Sequence, residues 1–336
     1  MTDPSSQHGD ASPDSSPALP GCFDDLGLAV STDEPLACHT WLGIGGPARF
    51  FCEPVDVGAL TKIIRRCHQL SMPLRVIGGG SNVLIDSAGF DGMVVRLTGP
   101  EFCEIRVDGS AILAGGGAKL VHVVTAAVQA GLTGLETLVG IPGTIGGALV
   151  GNAGGRAGDI SQHVREVTVL TRTGELNVRS GSDLSFASRW SNLDDTIILS
   201  CRLELEEEPA ETLTKRMQKQ WIMERADQPS GVRTVAMMFK DPPGSTAESL
   251  ISQAAAKECA VGNAAVVSSH ANFVVTKPQC SSDDVRSLLE QVRSRVRDRL
   301  SVDLEPQIEV WKRCDRQVAD SLRRQRSPLA ELALSS

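Results

Sequence analysis

The chain has 336 residues, 41% of them apolar, which is enough for two globular units with ordinary cores and excludes a small disulfide-stapled protein. A net charge of −8 and a pI near 5.4 argue against a general nucleic-acid or anionic-membrane surface and favour a small-molecule site. No apolar run reaches the roughly 20 residues needed to cross a bilayer, and the N-terminus lacks a basic-then-apolar signal pattern, so a cytoplasmic protein without membrane insertion is expected.

Residues 1–27 are rich in Ser, Asp and Pro and hold too little apolar surface to offset the entropy of ordering, so they are expected to form a disordered tail. Residues 39–51 read as a strand broken at Gly45, Gly46 and Pro47, where either a turn or a close ligand approach would explain the break. From 57 to 70, Leu60, Ile63, Ile64 and Cys67 follow helical spacing, with Lys62, Arg65 and Arg66 on the solvent side. Short strands are expected at 74–77 and 93–97. Ile112 to Ala114 runs into Gly115, Gly116 and Gly117, after which Leu120, Val123, Val124, Ala127 and Val128 mark a helix that Gly131 stops. His122 on that helix reads as structural. Residues 164–178 alternate about Thr173 and Gly174 and predict a hairpin, and 197–205 predicts a strand.

The charged break at Glu206, Glu207, Glu208 and Pro209 marks a domain boundary. Beyond it come a helix over 213–226, a turn-rich stretch at 241–244, a helix over 247–256 and a strand at 272–275. Ser281 and Asp284 then introduce a helix with Val285, Leu288, Leu289, Val292 and Val296 on one face. A strand over 303–311 follows, and residues from 314 on read as a frayed or helical tail.

Two glycine-rich stretches stand out. Residues 76–82 read VIGGGSN, a run whose backbone can bend freely and let a ligand approach closely. Consecutive N–H groups there, with the Ser81 hydroxyl and the Asn82 amide, suit a phosphate; a plain tight turn is the alternative. Residues 140–155 read GIPGTIGGALVGNAGG, where apolar residues between the glycines describe backbone held against something buried rather than a linker. Two phosphates, or a phosphate and a flat ring, fit the pair. Neither a nucleoside-triphosphate loop nor the GxGxxG dinucleotide turn matches the first stretch. The nine cysteines include no CxxC pair, so no zinc site and no redox dithiol is expected, and the metal expectation is none.

Taken together, IGGPARF at 44–50, GGGSNVL at 78–84, GLTGLETLVGIPGTIGGALVGNAG at 131–154, HANFVV at 270–275 and LEP at 304–306 resemble the UDP-N-acetylenolpyruvoylglucosamine reductases, also called UDP-N-acetylmuramate dehydrogenases. The likeness runs in order from about residue 36 to 311. It implies an α+β fold: a disordered tail at 1–27, an FAD-binding domain of the vanillyl-alcohol oxidase (PCMH) type in two subdomains over 28–208, a C-terminal α/β substrate-binding domain over 209–302, a strand at 303–313 that returns to the first subdomain, and a tail at 314–336. It further implies non-covalent FAD, NADPH as co-substrate and a UDP-sugar substrate, in peptidoglycan precursor synthesis. By likeness, Gly78, Gly79, Gly80, Ser81 and Asn82 hold the FAD pyrophosphate, while Gly143, Thr144, Ile145, Gly146, Gly147 and Asn152 line the flavin.

The family's three catalytic motifs fall on this chain unevenly. Arg189 stands in Ser188-Arg189-Trp190-Ser191 where the family has Tyr-Arg-x-Ser. Phe239, Lys240 and Pro242 set a register that puts Met237 at the place of the family's proton-donating Ser, and a thioether has no proton to give. Gln307 in Leu304-Glu305-Pro306-Gln307 replaces a Glu; it can hydrogen-bond but cannot ionise. Lys240 is a candidate substrate-binding group and a possible substitute acid. The loop between Gln228-Pro229 and Val235 diverges from the family, with Arg233 where a Pro is usual.

Overall fold

The computed structural model describes residues 21–155, 158–226, 229 and 234–313. The tail expected at 314–336, most of the N-terminal tail, and Gln228 and Arg233 lie outside the described residues.

The first lobe is a four-stranded sheet in the order Val30–Pro35, Pro47–Cys52, Phe90–Arg96, Leu74–Ile77, parallel except at its first pair. Phe90–Arg96 is central and carries a continuous apolar run, as a strand covered on both faces requires. One face meets helix α1 (Val57–Gln69), which begins where the Asp56 carboxylate accepts from Ala59 N–H at 2.7 Å. Its Leu60, Ile63, Ile64 and Cys67 pack on Phe50, Met93 and Val95. Ala48, Phe51, Ile77 and Val94 face the other way and pack with Trp311.

A single turn, α2 (Pro100–Cys103), leads to the second lobe, a five-stranded antiparallel sheet. Its strand order is Leu176–Ser180, Val164–Leu170, Ile197–Glu204, Ala111–Gly115, Ile105–Asp108. Helix α3 (Leu120–Gln129) buries the five positions picked out by its periodicity, and the short α4 (Ile145–Val150) packs beside it. His122 is on the exposed side of α3.

Helix α5 (Ala210–Ala226) departs from the expected division of the chain. A boundary after residue 208 would assign it to the second unit, yet Leu213 is buried, Met217 packs on the second lobe's core, and Arg216 bonds Glu136 at 2.8 Å and Glu208 at 2.7 Å. Glu206 and Glu207 are themselves paired with Thr133 and Leu132, so the charged run does not end the second lobe, and what α5 packs on is set by partners distant in sequence.

The third unit is a four-stranded antiparallel sheet, Val235–Met237, His270–Thr276, Ala264–Val267, Ala260–Val261, covered by α6 (Ala247–Gln253) and α7 (Ser282–Leu300). Ser281 and Asp284 form a reciprocal capping box at the start of α7. Leu42, Ile44 and Leu84 of the first lobe belong to this unit's core, so the two share one apolar interior. Of residues 303–313 only Glu309–Trp311 is strand, and it pairs in parallel with Val83–Ile85.

Three local expectations are corrected. Order begins before residue 28: Phe23 is 3% exposed, its ring edge-on to Phe50 at 5.1 Å, and a short helical turn spans Asp24–Leu26. Arg65 and Arg66 are not a free solvated face; Arg66 clamps the Asp25 carboxylate at 2.6 and 2.8 Å and donates to the Cys22 carbonyl, while Arg65 donates to the Gly174 carbonyl at 3.4 Å. The strand expected over 39–51 starts only at Pro47, and the break before it is a close approach of protein to protein, since a Cβ on Gly46 would lie 2.3 Å from the Ser87 carbonyl oxygen.

Candidate active site

Strand Leu74–Ile77 delivers the chain into residues 78–82, and those residues lie against the second glycine-rich stretch. A Cβ on Gly78 would sit 2.6 Å from Thr144 Oγ1, and one on Gly79 would sit 2.9 Å from Gly143 Cα. Gly80 has φ +64, and its Cβ would fall 2.0 Å from the His39 carbonyl oxygen. Gly79 and Gly80 are therefore required by neighbouring backbone, and Gly78 by the Thr144 side chain. Among the described residues, the N–H groups of Gly79, Gly80 and Ser81 have no protein acceptor. Consecutive unclaimed N–H groups in a glycine turn form an anion cradle.

Thr144 caps α4, its hydroxyl accepting from Gly147 N–H at 3.3 Å; Ile145 is fully buried, and Gly146 N–H donates to the Gly116 carbonyl at 2.7 Å. Gly143 has φ +123. Ser81 Oγ faces the Pro142 carbonyl at 3.5 Å, which ties the two stretches together. Two asparagines do something other than expected. Asn82 donates its amide to the Gln307 carbonyl at 2.7 Å. Asn152, 2% exposed and with φ +41, donates to the Ala187 carbonyl at 2.9 Å and accepts from Ser161 N–H at 3.3 Å. Its side chain holds neighbouring backbone, as a buried amide requires.

Arg189 lies at the tip of the hairpin made by Phe186–Ala187 and Trp190–Ser191, in the left-handed region at φ +55. That hairpin is fixed to the far end of α4 by Ser191 Oγ, which donates to the Val150 carbonyl at 3.0 Å, and by Asn152. A non-glycine residue in this conformation is costly and is kept where the surroundings over-determine it. Arg189 is half-buried and makes no hydrogen bond or ion pair with a described residue, so its guanidinium is available.

Met237 and Gln307 are brought together. Met237 ends the strand paired with His270–Thr276, Met238 accepts from Gln307 N–H at 2.8 Å, and Phe239 bridges to Pro306. With the bond from Asn82, the first glycine loop, the Met237 strand and the segment around Gln307 meet in one place. Arg189 shares no hydrogen bond with this group and is approached from α4. Lys240 is not free: its ammonium lies 2.6 Å from the Glu305 carboxylate, a partner that sequence spacing could not reveal.

Glu136 is the charged group buried most deeply beside these elements. Burial disfavours its ionisation, but bonds from Arg216, Gly134 N–H and Thr133 outweigh that and hold its carboxyl below the usual range. His163 is pushed down by burial and stays neutral more readily than a free histidine. Burial raises the thiols of Cys67 and Cys201 to about 12 and Cys52 to about 11, so none is a ready nucleophile. Among the described residues, the one cluster with metal-ligand chemistry is Glu34, Cys38 and His39. His39 Nε2 lies 2.9 Å from the Glu34 carboxylate and the Cys38 thiol donates to the Pro35 carbonyl at 2.9 Å, while His39 Nδ1 is buried with no partner among the described residues.

Residues 48–179 match the FAD binding domain family, and residues 228–311 match the C-terminal domain of UDP-N-acetylenolpyruvoylglucosamine reductase. The chain is 38% identical over 288 residues to the UDP-N-acetylenolpyruvoylglucosamine reductase of Rhodopirellula baltica, covering 86% of this chain and 94% of that protein. The chain belongs to the UDP-N-acetylenolpyruvoylglucosamine reductase family. It is also 38% identical over 280 residues to UDP-N-acetylenolpyruvoylglucosamine reductase 2 of Symbiobacterium thermophilum, covering 83% of this chain and 91% of that protein. The crystal structure of the Thermus caldophilus reductase superposes with a TM-score of 0.72 at 35% identity, covering 84% of this chain and 98% of that one. The fold is thus an FAD-binding domain of the PCMH type followed by this family's C-terminal domain.

Proposed function

We propose that the protein is an FAD-containing, NADPH-dependent reductase that converts UDP-N-acetylenolpyruvoylglucosamine to UDP-N-acetylmuramate for peptidoglycan synthesis in the cytoplasm. The observation that carries this reading is the meeting of residues 78–82 with Gly143 and Thr144, where unclaimed N–H groups suit a pyrophosphate and glycines leave room for no side chain. Residues 78–82 and the facing stretch around Gly143 and Thr144 would hold FAD, which would supply hydride transfer from NADPH to the enolpyruvyl double bond. The protein must bind the substrate carboxylate, disperse the negative charge that develops next to it, and deliver a proton to the second carbon.

Arg189 is suited to the carboxylate, having a guanidinium without a partner among the described residues. Gln307 offers amide N–H donors to the developing charge, though no ionisable group. Met237 has no proton to deliver, so the proton comes from water or from Lys240, which must first part from Glu305. A second reading, a non-catalytic FAD- or UDP-sugar-binding relative, is favoured by Met237 and Gln307 themselves.

The experiment is anaerobic: purified protein, NADPH and the enolpyruvyl substrate, with flavin oxidation state followed by absorbance and product by mass. Formation of the lactyl ether with substrate-dependent flavin reoxidation is expected. Flavin that is reduced by NADPH but never reoxidised by substrate would establish the non-catalytic reading, and protein that binds no FAD after refolding with excess cofactor would overturn both.

A further inference from the structure

The HANFVV stretch forms the strand His270–Thr276, which pairs with the Met237 strand. Within it, His270 and Asn272 stand two residues apart at the irregular start of the strand, His270 partly exposed and Asn272 buried. His270 Nε2 lies 2.9 Å from the carbonyl of Ala226, the last residue of α5. A carbonyl only accepts, so Nε2 carries the proton, and Nδ1 accepts the Ser269 hydroxyl at 2.8 Å. The final carbonyls of a helix lack intrahelical donors, and His270 supplies one from a different unit of the fold.

Asn272 is 6% exposed in a core whose neighbours are Ala236, Met238, Phe239, Ala271 and Val274. Its Oδ1 accepts from Phe239 N–H at 3.0 Å and its Nδ2 donates to the Phe239 carbonyl at 2.8 Å, while its own carbonyl accepts from Met238 N–H at 2.8 Å. The side chain thus replaces a strand partner at the point where regular pairing stops. Immediately afterwards Phe239 turns to Pro306 and Lys240 N–H to the Glu305 carbonyl, the exchange of partners that sets Met237 beside Gln307.

We infer that His270 and Asn272 are positioning residues: one strand fixes both the end of α5 and the exit of the Met237 strand, and so sets the geometry of the reduction site. Neither touches the reacting atoms. Only the kinetic arm of the test rests on the proposed reductase function; the structural arm is independent of turnover.

The variants are His270→Leu, which removes the donor, His270→Gln, which keeps an N–H in reach, and Asn272→Leu, which keeps the volume. The structural arm follows tryptic cleavage after Arg225 and native-state hydrogen exchange at Met238 and Phe239. His270→Leu should speed cleavage about tenfold through loss of its bond to the end of α5, and His270→Gln should restore it, while Asn272→Leu should raise exchange at Phe239 at least about tenfold, since both side-chain bonds to Phe239 are lost. In the kinetic arm, flavin reduction by NADPH should be unchanged in all three, and flavin reoxidation by the enolpyruvyl substrate should slow about tenfold in the two leucine variants and recover in His270→Gln. Should Asn272→Leu lose its FAD and fold, the His270 pair decides. Cleavage and exchange equal to wild type in His270→Leu, or His270→Gln no better than His270→Leu, would overturn the inference. A wild type without substrate turnover would refute the reductase function and leave the structural arm to decide this one.

Discussion

Replacing Gly80 with Ala tests whether the first glycine loop is built by protein packing before any cofactor arrives. The new Cβ would lie 2.0 Å from the His39 carbonyl oxygen and 3.0 Å from Thr40 Cα, both backbone atoms that no rotamer change can move. It would also hold an alanine at φ +64, a conformation that costs a side-chain residue about 1–2 kcal/mol. Overpacking against backbone adds about 1–3 kcal/mol. The sum, about 2–5 kcal/mol, corresponds to a fall in Tm of roughly 3–8 °C at about 1.5 °C per kcal/mol for a protein of this size. The assay is thermal melting of FAD-free and FAD-loaded protein, with Gly79→Ala alongside. Gly79 has no positive φ and its Cβ would meet Gly143 Cα at 2.9 Å, so Ala there should melt nearer to wild type when FAD-free but bind FAD more weakly, by parting the two stretches. A Gly80→Ala protein that melts within a degree of wild type in both states would refute the reasoning.

Met237→Ser combined with Gln307→Glu should raise the rate of flavin reoxidation by substrate above either single change, since the two act as one unit; a positioned general acid is commonly worth about 10² to 10⁴, measured by anaerobic single turnover. A wild type as fast as its relatives and slowed by the double change would give Met237 and Gln307 a different role. Phe23→Ala should lower stability by about 3 kcal/mol in denaturant titration, because the ring is 3% exposed against Phe50, and truncation after residue 27 should do at least as much. Acid should destabilise the protein in two stages: both His163 and Glu136 are held below their ordinary values of 6.5 and 4.5, so each contributes stability that is full above that value and is lost as pH falls through the lowered one. Denaturant midpoints from pH 7 to 4 should therefore fall, and Glu136→Gln should flatten the lower part of the curve while lowering stability at pH 7.

What sequence reading captured and what it missed have separate physical causes. Helices α1, α3 and α7 follow from apolar spacing because a local period decides which face is buried. Strand Leu74–Ile77 was legible because a glycine run ends it. Phe23 was missed because one aromatic in a polar tail gives no period, and only Phe50 and Arg66 reveal its purpose. Asn152 and Lys240 carried the right chemistry for a ligand, but Ala187, Ser161 and Glu305 already engage them, and those partners are invisible without coordinates. The glycines of the first loop were read as room for a ligand; the structure adds that protein backbone occupies much of that room.

The strand Glu309–Trp311 has a consequence for how the molecule comes into being. It lies beside Val83–Ile85, the residues that leave the first glycine loop, and Trp311 seals the apolar face behind Phe51 and Val94. During synthesis the first lobe is therefore left open along one side until nearly the whole chain has emerged. A fragment stopping at the end of the second lobe would contain every glycine of both stretches and still lack the wall that finishes the lobe, so completing the cofactor loop's surroundings depends on a contact far away in sequence.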